Sequence, residues 1–193
     1  MRNKIGRNVV LAMCAGLLSA CQHTHQAVDT IAIKYIAPPQ QQASVKIYCS
    51  GTDDCEFERF DQIPIVDEVT HLVSHEAIKK GYVRLNGKTT GYANALYLTV
   101  PDQQHEVVIR FYPITKARAE EISVIHNFRA NHSYTFKMYR NRTKTSSGSL
   151  LNVSAPDPLC VVLLENERPV RHFCKPYNVL TGLGEFVEVH NAL

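Results

Sequence analysis

The cysteines and histidines carry the most specific chemistry in this 193-residue chain. Cys21 stands apart from the other cysteines because of what precedes it. Arg2, Lys4 and Arg7 are followed by an apolar run from Val9 to Leu18 and then by small Ser19 and Ala20. The run is shorter than the ~20 apolar residues a membrane-spanning helix requires, so residues 1–20 read as a cleaved export signal. A thiol at that cleavage point is a nucleophile. Cys14 leaves with the signal, so Cys49, Cys55, Cys160 and Cys174 remain. An even number in an oxidising compartment implies disulfides, with three pairings open. Proximity favours Cys49–Cys55 and Cys160–Cys174, each worth about 2–3 kcal/mol through loop closure. A four-cysteine zinc site is the competing chemistry, but five and thirteen intervening residues do not match the tight C-x₂₋₄-C knuckle.

Leu18-Ser19-Ala20-Cys21 resembles the lipobox of Gram-negative lipoproteins. The resemblance implies acylation of Cys21, cleavage before it, and a mature chain that starts at the lipid-bearing residue. Several acyl chains hold a protein on a membrane where one alone binds marginally. By the behaviour of that family, Gln22 in the next position directs the protein to the outer membrane, facing the periplasm. An ordinary secretory signal with a chance cysteine is the alternative.

Histidine offers less. His71 and His75 sit four apart in a stretch patterned as a helix, a spacing that can hold a metal. No H-E-x-x-H pattern completes a site, and surface histidines explain the pair as well. His105, His126 and His132 fall at strand ends or turns, where a hydrogen-bonded structural histidine is the default. No nucleophile elbow, P-loop or dinucleotide fingerprint occurs, and no cofactor is implied. Catalytic residues are therefore expected to be absent, although a triad assembled from distant residues would leave no local pattern.

Three of the 21 basic residues lie in the signal, which leaves 18 against 18 acidic ones in the mature chain. A neutral chain carries no electrostatic footprint for nucleic acid and no polybasic cluster for anionic lipid.

The elements that hold these residues follow from periodicity. Residues 21–43 read as a lipidated flexible tether, rich in Gln, His and Pro, with Ile31–Ile36 open to an edge-strand reading. Val45–Cys49 and Cys55–Phe60 alternate as strands around Ser50-Gly51-Thr52-Asp53-Asp54, which predicts a hairpin with a disulfide at its neck. Asp67–Lys80 carries a helical apolar stripe, and Gly81 supplies the stop. Asn86-Gly87 after Tyr82–Leu85 is a strong hairpin signal. Ala95–Val100, His105–Phe111 ended by Pro113, Glu121–Phe128 and Ser133–Tyr139 alternate as further strands. Arg140–Ser149 reads as an exposed basic loop, Cys160–Leu164 as a central strand returning through Val170–Cys174, and Phe186–Val189 as a final edge strand.

The fold class this predicts is mainly β: one disulfide-stapled domain over residues 44–193, a small antiparallel β-sandwich of immunoglobulin or transthyretin-like kind, with one helix near 67–80. Lipobox, tether and sandwich with an added helix resemble the outer-membrane lipoprotein of type VI secretion membrane complexes. That resemblance implies a non-catalytic scaffold that holds the periplasmic part of an inner-membrane secretion component. Tyr82–Gly87 and Leu98–Val107 are also similar to the strand-turn-strand of PEGA-like envelope lipoproteins. Four cysteines and the helix depart from both families. The resulting expectation is an envelope protein as partner, gripped by strand edges or loops. A small-ligand or metal-binding lipoprotein is the first alternative and an envelope hydrolase the second.

Overall fold

A computed structural model describes residues 25–36, 44–141, 157–175 and 184–190. Cys21, the signal and most of the Arg140–Ser149 loop lie outside the described residues. The first described element is a helix over residues 25–35, α1. The strands are β1 (Ser44–Ser50), β2 (Asp54–Phe60), β3 (Ile63–Pro64), β4 (Val83–Leu85), β5 (Leu96–Pro101) and β6 (Gln104–Thr115). They continue with β7 (Arg118–Asn127), β8 (Ser133–Arg140), β9 (Leu159–Glu165), β10 (Arg168–Lys175) and β11 (Val187–Glu188), and a short helix α2 (His75–Lys79) precedes β4.

The protein is mainly β. Two sheets, ordered β11-β10-β9-β8-β1-β5-β4 and β3-β2-β6-β7, pack face to face. Alternation decides what each contributes. Val45 and Ile47 of β1, Leu98 and Val100 of β5 and Phe136 and Met138 of β8 face Phe57 of β2, Val107, Ile109 and Phe111 of β6 and Val124 of β7 across one core. All neighbours are antiparallel except β1 and β8, which run parallel. The large rings Phe57, Phe60, Phe111, Phe128, Tyr134 and Phe136 are fully buried and dominate the apolar burial. Tyr134 donates its hydroxyl to Glu165 at 2.6 Å and accepts from the Arg129 amide at 3.0 Å. Burial, helped by that carboxylate, pushes the phenol up to about 12, so it remains a donor.

Several connections differ from the sequence expectation. β1 and β2 are not a hairpin. They belong to opposite sheets, and the Cys49–Cys55 bond crosses the core between them. Gly51 makes the crossover possible: its φ is +96°, and a Cβ there would lie 2.0 Å from the Met138 carbonyl oxygen. Cys160 and Cys174 face each other across the β9–β10 hairpin and are bonded, on the side of the sheet away from the core residues Val161 and Leu163.

The Asn86-Gly87 pair does not make a tight hairpin, because β4 pairs with β5 only after a connection over residues 86–95. That connection is held from outside: the Asn94 amide donates to Asp54 Oδ1 and the Thr90 amide to Thr30 of α1. Pro113 lies within β6, not at its end, where the pairing with β7 shifts between Phe111 and Thr115. A bulge at Glu58 likewise shifts β2, turning Phe60 to the core and Arg59 outward to Glu106.

Helix α2 is much shorter than the expected 67–80 span. The Asp67 carboxylate accepts from the Val69 and Thr70 amides, and the Asp67 amide donates to the Leu72 carbonyl. Val66 and Val73 consequently meet as a β-bridge and are buried. The Asp67 side chain caps one isolated turn, closed by the His71 amide on the Asp67 carbonyl, and His71 at φ +55° ends it, while β-branched Val66, Val69, Thr70 and Val73 do not favour its extension.

Residues 25–36 are neither a tether nor an edge strand. Ile33 of α1 packs into the core cluster. Arg84 donates to the Ile33 and Ile36 carbonyls at 3.3 and 2.8 Å, satisfying groups at the end of the helix. The described fold therefore includes residues 25–36.

Candidate functional site

The densest polar cluster lies on the outer face of the four-stranded sheet. There β2 presents Asp54, Glu56 and Glu58, β6 presents Arg110 and Tyr112, and the loop over residues 65–73 covers them. Glu56 is the hub. The Tyr112 hydroxyl donates to its Oε2 at 2.8 Å, His71 Nδ1 lies 3.0 Å from both carboxylate oxygens, and Arg110 Nη2 stands 3.5 Å away. Burial and the neighbouring Glu56 raise the Tyr112 phenol well above its ordinary value, which keeps the proton on the donor. Arg110 is only 2% exposed and donates to the Val66 carbonyl at 2.8 Å. Its distance to Glu58 is 3.7 Å, ion-pair range but too long for a hydrogen bond. Burial and Glu121 push the Glu58 carboxyl up, opposing Arg110.

This arrangement is a clasp: a hub carboxylate occupied by its donors fixes the 65–73 loop to the sheet. Lys116 closes one end on Asp54 at 2.8 Å. A cavity of about 140 Å³ beside it is lined by Gln26, Glu56, His71, Thr90 and Lys116. A wider depression of about 570 Å³ at the end of the sandwich is lined by Gly51, Asp53, Pro113, Tyr139 and Arg140. The clasp was legible in part, since Arg110 interrupts the apolar run Val107–Phe111 and can only be tolerated opposite carboxylates. Assigning those carboxylates to β2 required the sheet pairing.

The two histidines named as weak metal candidates are not brought together. His71 lies in the loop with φ of +55° and pairs with Glu56, whereas His75 begins α2 and lies 4.0 Å from Asp29 of α1. They do not share a helix, so the i,i+4 argument for a metal fails. Among the described residues no group of three or more His, Cys, Asp or Glu could hold a metal ion. The four disulfide cysteines form the two bonds described above.

His105 is buried with Nδ1 2.7 Å from Asp61, and His132 Nδ1 lies 2.8 Å from the Ala130 carbonyl. His126 is half-buried against Phe128 and Tyr134, and burial together with nearby Arg171 lowers its pKa. The sign follows from that direction. Below the ordinary value of 6.5 the unfolded chain takes up a proton that the folded chain resists, so stability present above 6.5 is lost as pH falls. The expected result is a urea midpoint that declines between pH 7 and pH 5, with a shallower decline in His126→Phe. Parallel pH profiles for the two proteins would contradict this.

The second feature is an edge. β7 is a ten-residue strand, and among the described residues no strand lies beyond it in its sheet. The Ile125 carbonyl accepts from Arg171 of β10 at 2.6 Å, so the backbone groups of Ile125 point away from β6. Along an antiparallel ladder this direction alternates, so the backbone groups of Ser123 and Glu121 point outward too. Their side chains share the outer sheet face, where Ser123 donates to Glu106 at 2.6 Å. Arg171 and the Lys175–Glu120 pair (2.6 Å) tie this edge to the other sheet. Compared with protein-family models, curated proteins and solved structures, the chain matches none.

Proposed function

We propose that the chain is a lipid-anchored, non-catalytic binding module of the cell envelope that grips another envelope protein by strand addition along β7. In its most specific form it is the outer-membrane lipoprotein of a type VI secretion membrane complex, holding the periplasmic part of an inner-membrane component. What supports the reading is the long edge of β7 at the end of its sheet among the described residues, whose outward backbone groups, apart from the Ile125 carbonyl held by Arg171, are a template for another strand. Two disulfides in a small domain support export to an oxidising compartment. The lipobox at Leu18–Cys21 supports attachment through Cys21.

Proline at position 123 tests the edge, because it removes an outward amide without breaking a bond to β6. A protein partner recovered from envelope extract with the full acylated chain is expected to survive Ser123→Ala. It is expected to weaken about tenfold or more in Ser123→Pro, the equivalent of about 1.4 kcal/mol. Equal recovery by both variants, with Ser123→Pro folded by circular dichroism, would remove the edge as the contact. Recovery of no reproducible partner would remove the scaffold reading.

A further inference from the structure

Helix α1 has two apolar faces, and the sandwich uses one. Asp29, Thr30 and Ile33 are buried against the domain. Thr30 and Gln26 meet Thr90, and Arg84 holds the Ile33 and Ile36 carbonyls, so that side of the helix is fixed. On the opposite side, Val28, Ile31 and Tyr35 recur at i, i+3 and i+7 and are 55%, 57% and 85% exposed. A helix apolar on both sides has a second surface to cover.

We infer that this outward stripe lies in the membrane interface, so that α1 is the element on which the domain rests against the bilayer. The inference deepens the proposal above and rests on acylation of Cys21. Three observations select lipid over a protein as the occupant. Val28 is seven residues from Cys21, a reach of at most about 25 Å, so the stripe cannot leave the neighbourhood of an anchored thiol. Asp29 is the one acidic residue of the described segment 25–36, and it is turned into the domain. The outward side therefore presents Lys34 beside the apolar stripe and no carboxylate, the composition of an interfacial helix. Tyr35, the most exposed of the three, is the ring type that settles at headgroup level with its hydroxyl in water. The acyl chains provide attachment, and the stripe provides orientation. Because α1 is bonded to β4 through Arg84, its position fixes that of the sandwich.

The chain has no tryptophan, so a single introduced one reports its own depth. The full acylated protein is reconstituted into phosphatidylethanolamine–phosphatidylglycerol vesicles carrying acyl-chain-brominated lipid, with Ile31→Trp compared against Val187→Trp. Val187 is also exposed but lies on β11, six strand steps from β4, or about 29 Å across the sheet. The expected result is blue-shifted emission and at least twofold quenching at position 31, with red emission and no quenching at position 187. Acylated protein with equal, unquenched emission at both positions overturns the inference and leaves the lipid anchor standing. Purified protein with no acyl mass on Cys21 overturns the anchor, and this inference with it.

Discussion

Complete reduction of the two disulfides is expected to remove about 5 kcal/mol of stability, about 2 from Cys49–Cys55 and about 3 from Cys160–Cys174. The difference follows from loop length, six residues of separation against fourteen. Since single domains are stable by only roughly 5–15 kcal/mol, the loss is comparable to the whole. At a urea dependence of about 2 kcal/mol per molar, it amounts to a midpoint lower by about 2.5 M. The two bonds act in different places. Cys49–Cys55 joins the sheets through the core, whereas Cys160–Cys174 staples one hairpin on an outer face. The double variants Cys49→Ala/Cys55→Ala and Cys160→Ala/Cys174→Ala are therefore expected to be close to additive. Urea titrations with and without phosphine reductant, with thiols counted by mass, decide the matter. An unchanged midpoint in fully reduced protein would show that the fold does not depend on its bonds, and would remove the stability argument for an oxidising compartment.

Truncation of Arg110 has the next largest expected effect. Arg110→Ala is expected to cost about 3 kcal/mol, because it strands a largely buried Glu56 beside Glu58 and leaves the Val66 carbonyl without its donor. Arg110→Met keeps the packing of the arm but loses the same charge and donor, so most of that cost is expected to remain. Hydrogen exchange supplies the local readout. Amides over residues 66–73 are expected to lose protection in Arg110→Ala well before those of β6 and β7, since the clasp holds that loop. A methionine variant as stable as the parent would mean that volume, not charge, makes the residue matter.

The class of fold could be read from residue pattern because period-two alternation is a local property, and each strand displays it alone. Val45–Cys49, Ser133–Tyr139 and Cys160–Leu164 all lie within strands of the structure, and Ala95–Val100 does so from Leu96 on. Nearness in sequence also favoured the cysteine pairs that are bonded. What pattern could not supply was which strands are neighbours. β1 and β2 look like a hairpin, yet a three-residue turn-rich link, Gly51–Asp53, serves equally well to carry the chain from one sheet to the other, and only burial of both apolar faces selects the crossover.

The same limit governs the candidate sites. Sequence alone determined that Cys21 is the anchoring candidate and that no motif marks a catalytic centre, because those readings rest on adjacent residues. Tertiary structure decided that His71 belongs to Glu56 and His75 to Asp29, because His71 in the left-handed region and the Val66–Val73 bridge break the helix that would have joined them. It also decided that residues 25–35 form a helix. A segment with only a few apolar residues cannot offset its chain entropy alone, but docking Ile33 on a finished core and capping with Arg84 make the order favourable. Local pattern fixes what a residue can do; contacts between distant segments fix which of those things it does.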